Sequence, residues 1–213
     1  MNMILKATGV ALLSIIPYVQ AYPVSALKHS HKTPFFVLAG DSTTATQSSN
    51  GGGWGDGFLN TTLFKGASGR NFGHNGATTV SFRDGGGWDE VLTTVRQVRH
   101  DYHPFVTLQF GHNDQKPTAN ISLSQYTRNL ERFVSEASDA GATPILVTPL
   151  SRRNYDDSTG TPSIVMSLAN ETMATIAAAH HSPAAYIDLN EASNPVPQCD
   201  RTSKCFHIQP QSI

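Results

Sequence analysis

The sequence predicts an α/β fold, a parallel sheet with helices on both faces, and three observations carry that prediction. Short apolar runs of strand length, at residues 35–39, 105–110, 143–150 and 184–189, alternate with longer segments whose apolar residues recur at helical spacing. The runs are nearly continuous in apolar residues, as strands buried on both faces are. Small and polar residues follow them, as in GDST after residue 39 and GHND after residue 110, where parallel strands meet their loops. A chain of 213 residues is long enough to bury one core, and no repeat or internal boundary divides it.

The elements follow in order. Lys6 precedes the apolar stretch ATGVALLSIIPYV, and the small Ala21 closes it, so residues 1–21 are expected to be a secretory signal peptide and the protein to be secreted. The apolar stretch is shorter than the roughly 20 residues a bilayer span needs. Residues 22–33 form a polar lead-in, and residues 34–190 are expected to fold as the domain. FFVLAGDSTTAT gives a strand and then a turn at Gly40. The glycine-dense TQSSNGGGWGDGF is expected to be a loop, with Trp54 as its anchor to the body or as a substrate platform, the anchor being favoured. A short strand ending at Phe72 leads into a turn at Gly73 and Gly76. WDEVLTTVRQV places Val91, Leu92, Val95 and Val98 on one helical face, and residues 100–104 break it. After the strand at 105–110, a helix is expected over 122–140, capped by Ser124 and stopped by Gly141. A strand at 143–150, a polar loop SRRNYDDSTG, a helix over 163–181 and a strand at 184–189 complete the pattern. Residues 191–213 read as an irregular tail.

Composition excludes some classes. Fifteen Lys and Arg against sixteen Asp and Glu leave a formal charge of −1, and no basic run exists to bind a nucleic acid. No second segment has the character of a membrane span. The two cysteines, Cys199 and Cys205, are consistent with a small disulfide loop or with two unpaired thiols, and no further Cys/His pair makes them a zinc site. Sequons at Asn60, Asn120 and Asn170 permit glycosylation. No G-x-S-x-G elbow, P-loop or dinucleotide fingerprint is present.

Three strand-to-helix junctions carry the unusual residues: Gly40-Asp41-Ser42, the turn from Gly73 to Gly76, and Gly111-His112-Asn113-Asp114. All three are expected at one edge of the sheet. Ser42 is a candidate nucleophile or a helix N-cap. As a nucleophile it would attack an ester, placing negative charge on the carbonyl oxygen, and preorganised donors must meet that charge. The Gly76 N–H, the Asn113 side-chain amide and the N–H of Ser42 itself are candidates for that task.

These blocks resemble the SGNH, or GDSL-type, hydrolases: GDS at 40–42 is similar to their serine block, residues 71–76 to their glycine block and GHND at 111–114 to their asparagine block. LAGDST, Trp54-Gly55, FGHNDQKP and VTPLSRR are most similar to fungal rhamnogalacturonan acetylesterases, over about residues 35–190. The resemblance implies a three-layer α/β/α sandwich with a flavodoxin-like sheet. It implies an enzyme that deacetylates a plant cell-wall polysaccharide with Ser42, Gly76 and Asn113 as catalytic residues, without metal or cofactor. The expected partner is the acetylated polysaccharide, and the expected state a monomer.

A serine hydroxyl needs a base, in this family a histidine from an Asp-x-x-His block. The sequence contains no Asp-x-x-His. Asp200 and His207 stand at another spacing, and His74 and His112 lie inside the resembling blocks as substrate contacts or as polar loop residues. The expectation is a chain truncated at its carboxyl end, lacking the last helix and the base. The alternative is a non-catalytic carbohydrate-binding protein on the same scaffold; a lipase or thioesterase ranks below both, because no apolar lid is evident.

Overall fold

The structure, a computed structural model, describes residues 32–48, 51–152, 154–156, 163–165 and 168–193, with backbone only for 48, 51, 154–156 and 163–165. The expected signal peptide and the residues Cys199, Asp200, Cys205 and His207 lie outside the described residues. In chain order the elements are β1 (Thr33–Gly40), β2 (Thr46–Ser48), β3 (Gly51–Gly52), α1 (Trp54–Thr61), β4 (Ser68–Asn71), α2 (Thr79–Asp84), α3 (Gly87–Val98), β5 (Tyr102–Gln109), α4 (Leu123–Ala140), β6 (Thr143–Val147), β7 (Asn154–Asp156), β8 (Ser163–Val165), α5 (Ala169–His181), β9 (Ala185–Ile187) and α6 (Leu189–Ser193).

Five strands form one parallel sheet in the order β4-β1-β5-β6-β9. Numbered by their succession in the chain, that order is 2-1-3-4-5, the flavodoxin-like arrangement. The pleat assigns the layers, because successive side chains point to opposite faces. Val37 and Ala39 of β1 enter the main apolar core with Trp88, Val91 and Val95 of α3 and Leu130, Phe133 and Val134 of α4. Phe36 points the other way, against Phe58 of α1 at 5.0 Å and stacked on its register partner Phe105 at 5.3 Å. Helices therefore lie on both faces, in the expected three layers.

Several expectations are corrected. The segment around Trp54 is a short β2–β3 ladder followed by helix α1, and its glycines do not keep it irregular. Trp54 N donates to Thr43 O at 2.8 Å, and Asn71 Nδ2 bonds Asp56 Oδ1 at 2.9 Å, so long-range partners order the stretch. The cap of α4 is Ser122, whose hydroxyl accepts from Gln125 N at 3.2 Å; Ser124 lies inside the first turn. β5 starts at Tyr102, with Pro104 near its amino end, rather than at residue 105. The expected helix over 163–181 begins only at Ala169, since Leu168 sits at φ +64°, outside helical backbone, and Ser163–Val165 pairs antiparallel with Asn154–Asp156. α2 was not foreseen. It is a single short helix held by a capping box between Thr78 and Ser81.

Candidate active site

The parallel order places the three junctions side by side, at the carboxyl ends of β1, β4 and β5, where the strand succession reverses. Backbone hydrogen bonds stitch them together. Asp41 N donates to Gln109 O at 3.2 Å, His74 N to Gly40 O at 3.0 Å, and Phe72 N to Leu38 O at 2.8 Å.

Ser42 occupies the turn after β1. Asp41 O accepts from Thr44 N and Ala45 N, both at 3.0 Å, and Asp41 Oδ1 accepts from Thr43 N at 2.9 Å and Thr43 Oγ1 at 2.8 Å. This closes the backbone tightly under the serine. Ser42 is half-buried, its carbonyl accepts from Gln47 Nε2 at 2.6 Å, and no helix starts at it. The alternative of an N-cap therefore does not apply, and its hydroxyl is left unbonded among the described residues. The turn is anchored from below by Gln109. This side chain is fully buried, and its Oε1 accepts from Thr44 Oγ1 at 2.6 Å and Trp54 Nε1 at 3.0 Å, with Thr43 Oγ1 2.8 Å away. Trp54 is thus fixed as an anchor.

Gly76 has φ +77°, the left-handed backbone that glycine adopts without penalty. Its N–H and that of Ser42 are engaged by no partner among the described residues. Asn113 is only 6% exposed. Its Nδ2 donates to Ala77 O at 2.9 Å, tying the second and third junctions together and leaving one amide hydrogen unengaged. Asp114 completes the tie. Its Oδ1 accepts from Thr79 N at 2.8 Å and Thr79 Oγ1 at 2.6 Å, and its Oδ2 from Gly111 N at 3.2 Å. Burial pushes the Asp114 carboxyl above its usual range, although these hydrogen bonds oppose the shift.

The structure thus brings Ser42, Gly76 and Asn113 to one edge, as the sequence suggested. His112 is buried, with Nδ1 at 3.6 Å from the buried Oδ2 of Asp41, while His74 is exposed with its ring 5.6 Å from that of Phe82. No described histidine bonds the Ser42 hydroxyl: His103 meets Thr143, and His181 faces Glu131. Gln109, Asp114 and Lys116 were not read from the sequence as parts of the site. For Asp114 the signal was its place in GHND; for Gln109, a lone amide in an apolar strand.

The Ser42 turn lies at the switch point of the 2-1-3-4-5 sheet, at the same sheet edge as the unengaged N–H groups of Ser42 and Gly76 and the Asn113 amide, donors of the kind that can meet an oxyanion. The chain belongs to the GDSL-like Lipase/Acylhydrolase family, whose model matches residues 38–210. It is 37% identical over 131 residues to the rhamnogalacturonan acetylesterase RhgT of Bacillus subtilis, a match covering 59% of this chain and 53% of that protein. The chain spans about half the length of the curated relatives it matches. Among solved structures, the YXIM protein of Bacillus subtilis superposes with a TM-score of 0.63 at 26% identity, covering 76% of this chain and 45% of that one. The acetylxylan esterase Axe2 of Geobacillus stearothermophilus shares the fold at a TM-score of 0.53 and 17% identity, over 76% of this chain and 81% of that one. Catalytic mutants of that esterase change an aspartate and a histidine three positions apart.

Proposed function

We propose that this chain derives from a secreted, monomeric serine esterase that removes acetyl groups from a plant cell-wall polysaccharide, with rhamnogalacturonan the first candidate. The observation that carries the reading is the convergence of Ser42 with the N–H groups of Ser42 and Gly76 and the Asn113 amide at one sheet edge. The similarity to a rhamnogalacturonan acetylesterase supports the choice of substrate. In such an esterase the Ser42 oxygen bonds the acetyl carbon as its proton passes to a base from outside the described residues, and the N–H donors stabilise the oxyanion. Collapse expels the sugar oxygen, which takes that proton, and water then releases acetate from the serine. The fungal branch suggested by the sequence belongs to this proposal.

Acetate release from acetylated rhamnogalacturonan, followed in wild type and in Ser42→Ala, tests it. Loss in the variant is expected; equal release in both would remove Ser42 from the chemistry.

A second reading has a specific observation in its favour, the lack of any Asp-x-x-His in the sequence. In that reading the scaffold binds acetylated oligosaccharide without turnover. Calorimetric binding with no acetate released is its expected signature. The truncation expected from the sequence is part of this question: a transcript that continues into an Asp-x-x-His block would return the chain to the esterase reading.

A further inference from the structure

The Asn113 amide is held on both sides. Its Nδ2 donates to Ala77 O at 2.9 Å, and its Oδ1 accepts from the Lys116 ammonium at 2.6 Å. Turning the amide over would set its NH₂ against the ammonium and its oxygen against the Ala77 carbonyl, two repulsions replacing two attractions. The backbone fixes the lysine as well. Lys116 N donates to Asn113 O at 3.2 Å, and the following Pro117 confines Lys116 to extended backbone, found at φ −68° and ψ 132°. Residues 113 and 116 therefore clasp each other twice, once through the backbone and once through the side chains.

We propose that Lys116 is a positioning residue of the oxyanion hole. Its ammonium locks the Asn113 amide with one N–H unengaged, and, by drawing electron density through the carbonyl, makes that N–H a stronger donor to the developing oxyanion. The inference rests on the reading of Asn113 as an oxyanion donor. Lys116 is exposed, so removing its ammonium leaves the core intact.

The test pairs a spectrum with kinetics. In ¹⁵N-labelled full chain, the two side-chain amide resonances of Asn113, assigned from Asn113→Ala, are expected to shift in Lys116→Met and to return towards wild type in Lys116→Arg. With para-nitrophenyl acetate, Lys116→Met is expected to lower kcat about tenfold at unchanged KM. Asn113→Ala should lower it about a hundredfold or more. In the Asn113→Ala background, Lys116→Met should add nothing. Unchanged amide resonances in Lys116→Met, or a kcat loss that persists without Asn113, would overturn the inference. Full kcat in Asn113→Ala would instead overturn the oxyanion reading and the inference with it. A silent assay with a Lys116-dependent amide spectrum would count against the esterase and leave the clasp standing.

Discussion

At the scale of the residue, the site is held by buried polar side chains whose energetics can be separated by pH and by sterics. Asp114 is 2% exposed and carries three hydrogen bonds to its carboxylate. Burial nevertheless dominates and raises its pKa above the ordinary 3.8. For a carboxyl raised in the folded state, the stability it adds is present below its unfolded pKa and is lost as pH rises through the folded one. The advantage of wild type over Asp114→Asn is therefore expected to be largest near about pH 3 and to shrink towards neutrality, measured as urea midpoints across pH. A difference that grows with pH would contradict this. Gly40 gives a steric prediction. A Cβ there would collide with the Thr44 hydroxyl and come within 2.7 Å of Gln109 O, which is backbone and cannot swing away. Gly40→Ala is expected to cost about 2 kcal/mol in chemical denaturation.

At the scale of the element, the short helix α2 and the longer α3 and α4 are joined by one carboxylate. Glu136 of α4 accepts from Arg83 Nη1 of α2 at 2.9 Å, from Trp88 Nε1 of α3 at 2.5 Å and from Arg132 Nε on its own helix at 2.8 Å. Partial burial works against its charge, but the hydrogen bonds from Arg132, Trp88 and Arg83 outweigh it and hold its pKa below 4.5. The sign is opposite to that of Asp114. The stability Glu136 adds is present above its unfolded pKa and is lost as pH falls through the folded one. Glu136→Gln is expected to cost about 1 kcal/mol at pH 7, kept small by solvent screening, and less below about pH 4. Denaturation of wild type and variant at both pH values checks it. Such clamps are invisible in sequence, because Arg83 and Glu136 lie 53 residues apart. α4 itself was legible, because its stripe of Leu130, Phe133, Val134 and Ala137 is a local pattern and all four are buried.

At the scale of the whole molecule, stability is expected to fall from the centre of the sheet to its β9 edge. β1 pairs along eight residues with β5, and Val37, Val106 and Leu108 are fully buried. β9 has three paired residues, and Tyr186 and Ile187 are 42% and 51% exposed. Native-state hydrogen exchange should find the slowest amides in β1 and β5 and much faster ones in β9. Uniform protection across the sheet would refute this gradient. The switch point, and with it Ser42 and Asn113, lies in the turns at the carboxyl ends of the central strands β1 and β5, a placement suited to a preorganised site.

The sequence by itself determined the alternation of strands and helices, the parallel sheet, and the three junctions that carry Ser42, Gly76 and Asn113. These rest on local signals: apolar runs, helical stripes, and small residues where chains must turn. Only the tertiary structure decided that Trp54 opens a helix and is pinned by Gln109, that residues 163–165 pair with 154–156 instead of extending α5, and that Asn113 with Ala77 and Asp114 with Thr79 tie two junctions together. The Trp54 and junction ties depend on partners distant in the chain, and the 154–156 and 163–165 pairing on a hairpin whose partners stand seven to eleven residues apart. Local propensity is a weak force, and a buried hydrogen-bond donor or acceptor left unpaired costs about 1–3 kcal/mol, so a long-range partner overrides it.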